Sequence, residues 1–467
     1  MARLPLTGGA YQSRSLIAAA QVCQNLFPER TPPSTGEPEP VVHLPTPGLI
    51  RRAVAVESPW RGLHLAKTGT LYGVAGRHLY AIGADWTLTQ IAALAPGTGP
   101  VSLADNSVEM LIVDGTASGW WLNLITSEVV PVKDDAFYGA DRVRCVDQFF
   151  VLNRPGTNQF YMTDAISRRF NPLYTAAKAG LDRLVSLDVT RRETWLFGQQ
   201  TTEIYGITGA PDFPLGIVSG GIEHGCAAAH SVARVDGGVL WLSRDRDGQA
   251  VVMRGANYQA QRVSNHGVEA IMQGYAQLDD AVGYTRQDAG HTFYVLCFPA
   301  ADATWAYDLA TEQWHELRSG PHRHRVGCHA FAYGRHVVGD CGTGALYELT
   351  PAALDDDGTR IRRVRAFPHI VKDARRVTYQ SLTLDMQTGT AAPGDPEPMV
   401  SVRWSDDRGA TFGVPVLTGL GLAGNALAMP KMCNLGHARD RVFEISWDAA
   451  VATALAGAWI ETVVSRT

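Results

Sequence analysis

The sequence predicts an all-β protein: a β-propeller joined to a smaller β-sandwich-like platform. Three observations carry that reading. An apolar strand, a tight polar turn and a second strand bearing an aromatic recur seven times, anchored at Tyr80, Trp121, Tyr161, Tyr205, Met253, Tyr307 and Tyr347, 40 to 54 residues apart. A period of roughly 40–50 residues built from short strands is the signature of a propeller blade. Glycine (47) and proline (25) are plentiful, as many short strands require many turns. Beyond residue 370 the short repeats give way to longer alternating strands, as in RRVTYQSLTLDMQTG and RVFEISWDAAVA. Seven anchors favour seven blades; six is the count if the first copy or the closing strand belongs elsewhere.

Taken in order, residues 1–41 form an arm with a Pro-rich linker, 42–368 the propeller and 369–467 the platform. Within the arm, SLIAAAQVCQNLF reads as a short amphipathic helix or an extended segment. Pro28 to Pro40, with its five prolines, reads as an irregular linker. The first repeat is the plainest, with RGLHLAK, TLYGVAG, RHLYAIG and WTLTQIAAL as its four strands. Buried between neighbouring blades, such strands are near-continuous apolar runs. The longer spacing before Tyr307 carries an insert in which GVEAIMQGYA predicts one short helix on the rim. The platform, about 100 residues, reads as a sandwich.

Composition narrows the function classes. With 45% hydrophobic and 19% charged residues the chain is a folded protein, and a net charge of −5 argues against binding nucleic acid by bulk attraction. No stretch approaches the roughly 18 apolar residues of a membrane span, and the first residues lack a signal-peptide core. Seven scattered cysteines, an odd number, point to reduced and mostly buried thiols.

The most specific local motif is WSDDRGATFG. Ser405, Asp407, Gly409, Thr411 and Phe412 match the Asp-box pattern Ser-x-Asp-x-Gly-x-Thr-aromatic, whose physics is that of a stabilised hairpin turn. A glycosidase would need several such boxes on the blades, an arginine cluster and paired carboxylates. His322, His324, Cys328 and His329 fit no zinc spacing, and His224 with Cys226 lacks a third group for nucleophilic catalysis. No phosphate-cradling loop is present. Catalytic residues, metal ligands and cofactors are therefore expected to be none. The arginines of RIRRVRAF and KDARR read as a salt-bridge surface toward a partner or another subunit. Trp195, Trp241, Trp305 and Trp314 read as blade core.

Several blocks resemble the tail hub, or nozzle, proteins of short-tailed bacteriophages, the packaged-DNA stabilisation family. They are AYQSRSLIAAAQVCQNLFPE and HLPTPGL near the start, GVLWLSRDRDG, RVSNHGVEAIM and GHTFYVLCFPAADATWAYDLATEQWHE in the propeller, and VRWSDDRGATFG and LGHARDRVFEISW in the platform. The resemblance implies a non-enzymatic component of the virion tail, assembled in the host bacterial cytoplasm. It implies a homohexameric ring below the portal and adaptor proteins that carries fibre, spike or needle proteins. Double-stranded DNA is retained by it and later passes through its bore without sequence-specific contacts. It also implies that the arm packs with the platform while the propeller hangs outward. Because DNA must slide, the bore is expected to be neutral to acidic. The competing classes are a carbohydrate-binding or sialidase-like propeller acting on host glycans, and a host-encoded adhesin.

Overall fold

A computed structural model describes residues 2–4, 8–15, 19–30, 41–210, 212–245, 247–372 and 375–464. Six blades consist of four consecutive antiparallel strands each, over 60–93, 102–131, 143–177, 184–222, 233–262 and 282–316. The ring is completed by a seventh unit of mixed origin. Val326–Ala332, Arg335–Asp340 and Ala345–Thr350 take Gly48–Val54, from the other end of the repeat region, as their outermost strand. The innermost strands of all seven units neighbour one another in ring order, from Trp60–Leu65 round to Val326–Ala332.

Every repeat anchor is buried and lies on the third strand of its blade, as Tyr80 does on His78–Ile82 and Tyr347 on Ala345–Thr350. The core is divided accordingly into apolar layers between blades. Tyr72 and Val74 of blade 1 meet Met110 and Ile112 of blade 2, and Phe197 of blade 4 meets Trp241 of blade 5. Each such side chain contributes about 1.5–3 kcal/mol when fully buried. Trp195, Trp241, Trp305 and Trp314 are all within this core, as expected. Tight hairpins connect the strands: Asp147–Gln148, Arg191–Arg192 and Asn257–Tyr258 have positive φ at both central residues, the geometry whose twist matches that of a two-strand ribbon.

The expected rim helix is present as α1, His266–Met272, capped by the Asn265 side chain, which accepts from the Val268 amide at 2.9 Å. Its Val268 and Met272 insert into the layer between blades 5 and 6, which runs on into the platform core around Leu382 and Phe443.

The platform has two sheets. One orders Lys431–Cys433, Val377–Met386, Leu455–Val464, Val41–Pro45 and Leu26–Arg30, with Ala2–Leu4 also on Leu455–Val464. The other orders Cys23–Gln24, Arg363–Ala366, Asp440–Trp447, Met399–Ser405 and Val416–Gly419, and touches blade 6 through a parallel bridge from Gln24 to Glu316. The arm is thus woven into both sheets. Of the two readings of SLIAAAQVCQNLF, 15–27, the strands Ala20–Gln21, Cys23–Gln24 and Leu26–Arg30 select the extended one. One expectation is corrected. Pro28 is not in an irregular linker: Leu26–Arg30 pairs with Val41–Pro45, Pro28 opposite His43. Proline is tolerated there because this strand ends the sheet. The rest of the expected linker, 31–40, lies outside the described residues. The boundary expected at 41/42 falls inside Val41–Pro45 and that at 368/369 just after Arg363–Ala366, and both strands pair within the platform.

Candidate functional site

Innermost strands present alternate side chains to the propeller axis, where they enclose a cavity of about 490 Å³ lined from all seven blades. Blade 1 contributes Arg61 and His64, blade 2 Asp105, and blade 3 Arg144 with Arg142 just before its first strand. Blade 4 contributes Asp188, blade 5 Arg234 with His230 preceding it, blade 6 Tyr284 and blade 7 His329. Asp188 is the hub. Arg144 donates to it from Nε (3.0 Å) and Nη2 (2.8 Å), Arg234 from Nε (2.5 Å) and Arg142 from Nη2 (3.3 Å). Burial alone would raise the Asp188 carboxyl, but Arg144 and Arg234, helped by Arg142, hold it well below the usual carboxylate range. Burial and the neighbouring Arg144 push Arg142 down to about 9, while Asp188 pulls it back. Asp105, the other lining carboxylate, meets His64 Nε2 at 2.7 Å and accepts from the Lys67 and Ser107 amides. Burial opposes its ionisation, and His64 and the amides more than compensate, so it is also lowered. Neither is held protonated as the general acid of a glycosidase must be.

The arginine cluster was not found from sequence, although the signal was there: His64, Asp105, Arg144, Asp188, Arg234, Tyr284 and His329 each precede their blade anchor by 16 to 23 residues.

The other sequence candidates disperse. His322 is exposed and meets Asp302 at 3.0 Å, whereas His324 is buried. Cys328 and His329 line the axis, where His329 Nε2 lies 3.0 Å from His336 Nδ1, and burial pushes the Cys328 thiol up to about 12. Cys226 is likewise pushed up by burial, to about 11, and a thiol held protonated is a poor nucleophile. Among the described residues no three His, Cys, Asp or Glu side chains gather as a metal site.

In the Asp-box turn, Ser405 Oγ donates to Asp407 at 2.6 Å and accepts from the Gly409 amide at 2.7 Å. Asp407 also accepts from Thr411 N (2.8 Å) and Oγ1 (2.5 Å), and these bonds bring its carboxyl down to about 2. Gly409 has φ +91° and packs so closely on Ala20 that a Cβ would lie 2.8 Å from that methyl. Phe412 is half-buried beneath the Arg403 guanidinium, 4.7 Å from its ring.

The arginines at the junction divide. Arg360 pairs with Asp448 in the open, and the exposed Arg362 reaches the buried Glu444. Arg363 and Arg365, expected on a salt-bridge surface, are fully buried: Arg363 donates to the carbonyls of Ile361, Ala449 and Leu354, and Arg365 to those of Val22 and Ala366 and to Gln21 Oε1. Their strand is covered on both faces, so both side chains become internal staples. In the platform Arg441 plays a similar part, paired with Asp406 through two bonds (2.6 and 2.8 Å) and packed against Tyr379, Trp404 and Phe443.

A family model named Phage_stabilise, described as Bacteriophage P22 Gp10, beta-propeller, matches residues 2–353. The chain belongs to this family. The match takes in the described arm and all seven units of the propeller, and ends before Arg363–Ala366, the first platform strand after the blades. No curated protein matches the chain. As a Phage_stabilise member it is a structural bacteriophage protein of the tail, with a role in stabilising packaged DNA. No helix among the described residues is long and apolar enough to cross a membrane.

The platform presents the surface best suited to assembly. The two sheets end side by side at Val416–Gly419 and Lys431–Cys433. Around these edges Val414, Leu417, Leu422, Leu427 and Met429 are exposed, Leu427 at 92%. An open sheet edge combined with exposed large apolar side chains is a surface that proteins cover in their assembled state.

Proposed function

We propose that this protein forms a closed six-fold ring in the tail of a short-tailed bacteriophage, below the portal and adaptor. There it retains packaged DNA and conducts it during ejection. The observation that carries the ring is the platform edge, where Val416–Gly419 pairs with Met399–Ser405 on one side and ends its sheet on the other, with Leu417, Leu422, Leu427 and Met429 exposed. A closed ring is built from head-to-tail contacts in which one such patch meets a different face of the next subunit. The propeller, tied to the platform through blade 6 and the arm, then projects from the ring and offers its rim to fibre, spike or needle proteins. The net charge of −5 suits a bore that is neutral to acidic, along which DNA slides without being gripped.

Replacing both Leu417 and Leu427 by Glu tests this. The double variant keeps the melting temperature of the isolated subunit, because both side chains are already in water, and loses ring formation on the portal complex. Rings formed as readily as by the parent chain would remove the platform edge from the interface.

A further inference from the structure

The propeller axis carries a charge imbalance that the fold does not require. In a chain of net charge −5, the axial cavity is lined by Arg61, Lys67, Arg142, Arg144 and Arg234 against only Asp105 and Asp188. Arg61 is offset by Asp114, 3.7 Å away. Asp105 is engaged by His64 and two backbone amides. That leaves Asp188 alone facing Arg142, Arg144 and Arg234, one negative charge for three positive ones. A single arginine would neutralise Asp188; two further guanidiniums so close repel each other unless another anion is present.

Donor capacity tells the same story. Arg234 reaches Asp188 through Nε alone, and neither of its terminal nitrogens has a hydrogen-bond partner, on a side chain 53% exposed. Arg142, 8% exposed, leaves Nε without a partner, and its other contacts are long: 3.3 Å to Asp188, 3.3 Å to the Val232 carbonyl and 3.5 Å to His230 Nδ1. Lys67 Nζ, on the same lining, is exposed and unpaired. Planar guanidinium forks with unused N–H groups match the oxygens of phosphates and carboxylates.

We propose that the propeller axis binds a small oxyanion, of phosphate or carboxylate type, held by Arg142, Arg144 and Arg234 with Lys67 contributing charge. The site does not depend on ring assembly and is tested on the isolated full-length chain. Titration calorimetry with inorganic phosphate and, separately, citrate, at ionic strength held constant with sodium chloride, gives saturable one-to-one binding for at least one of them. The expected dissociation constant is about 1 mM or tighter. Saturation by phosphate assigns a phosphate-type ligand; saturation by citrate alone assigns a carboxylate. Arg234→Gln, at a half-exposed position, weakens binding by about tenfold, the effect of one charge-assisted contact. Lys67→Gln weakens it as well and serves if the first variant misfolds. Arg192→Gln, on an exposed arginine outside the cavity lining, leaves it unchanged. Absence of saturable heat with either anion, or equal affinity in Arg234→Gln, Lys67→Gln and the parent chain, overturns the proposal.

Discussion

Asn25 joins three parts of the chain through one side chain. Its amide nitrogen donates to the carbonyls of Arg318 (3.0 Å) and Arg362 (2.8 Å), and its oxygen accepts from the Arg318 amide at 2.8 Å. Arm, the segment that follows blade 6 and the start of the platform thereby meet at a residue whose positive φ of 54° asparagine tolerates better than most. Asp356 shows the opposite economy. Buried, with Ser319 donating to one oxygen at 2.8 Å and its other oxygen unpartnered, it is pushed up by burial to about 6, although Ser319 and Arg325 lower it. A carboxyl with a higher pKa folded than unfolded binds its proton more tightly in the native state. The protein therefore loses stability as pH rises from about 4 through 6 at this residue. Asp356→Asn removes that loss: its melting temperature equals the parent's near pH 4.5 and exceeds it at pH 7.5, by the equivalent of about 2 kcal/mol. An unchanged difference across that range contradicts the assignment. None of this was legible in the sequence, where Asp356 is one of three consecutive aspartates; its burial depends on a hairpin folding against blade 7.

At the scale of elements, blade anchors, rim helix and platform strands were legible because each follows from a local period. What was not legible is pairing between distant segments. GLIRRAV, Gly48–Val54, precedes the first repeat in sequence but closes the ring against Ala345–Thr350, a contact set by topology. Extended pairing likewise decides between the two readings of 15–27, because Ala20–Gln21, Cys23–Gln24 and Leu26–Arg30 all find strand partners. The closing strand yields a prediction. Leu49 is 1% exposed in the layer with Phe293 and Tyr347, so Leu49→Ala costs about 2–4 kcal/mol in urea unfolding. Val54, on the same strand and 61% exposed, costs under about 0.5 kcal/mol when replaced by Ala. Similar losses at both sites contradict the ring-closing role of this strand's buried face.

Across the whole molecule, histidines set the response to acid. His43, His230, His315, His324 and His329 are each pushed down to about 3, chiefly by burial, with nearby arginines adding to it; at His329 the neighbouring His336 contributes more than Arg286. A histidine with a lower pKa folded than unfolded contributes stability above about 6.5 that is lost as pH falls toward 3. Five such groups outweigh the opposite trend of Asp356. Melting temperature thus falls steeply from pH 7 to pH 5, with a loss of about 1–2 kcal/mol per histidine, and His315→Gln flattens the profile. A profile flat over that interval contradicts their burial as neutral groups. Assembly is read out by electron microscopy of the purified protein mixed with its cognate portal complex. Closed six-fold rings capping the portal are expected, with platforms in the ring and propellers projecting outward; single subunits that leave the portal bare, or rings closed through the propellers, would overturn the proposed ring.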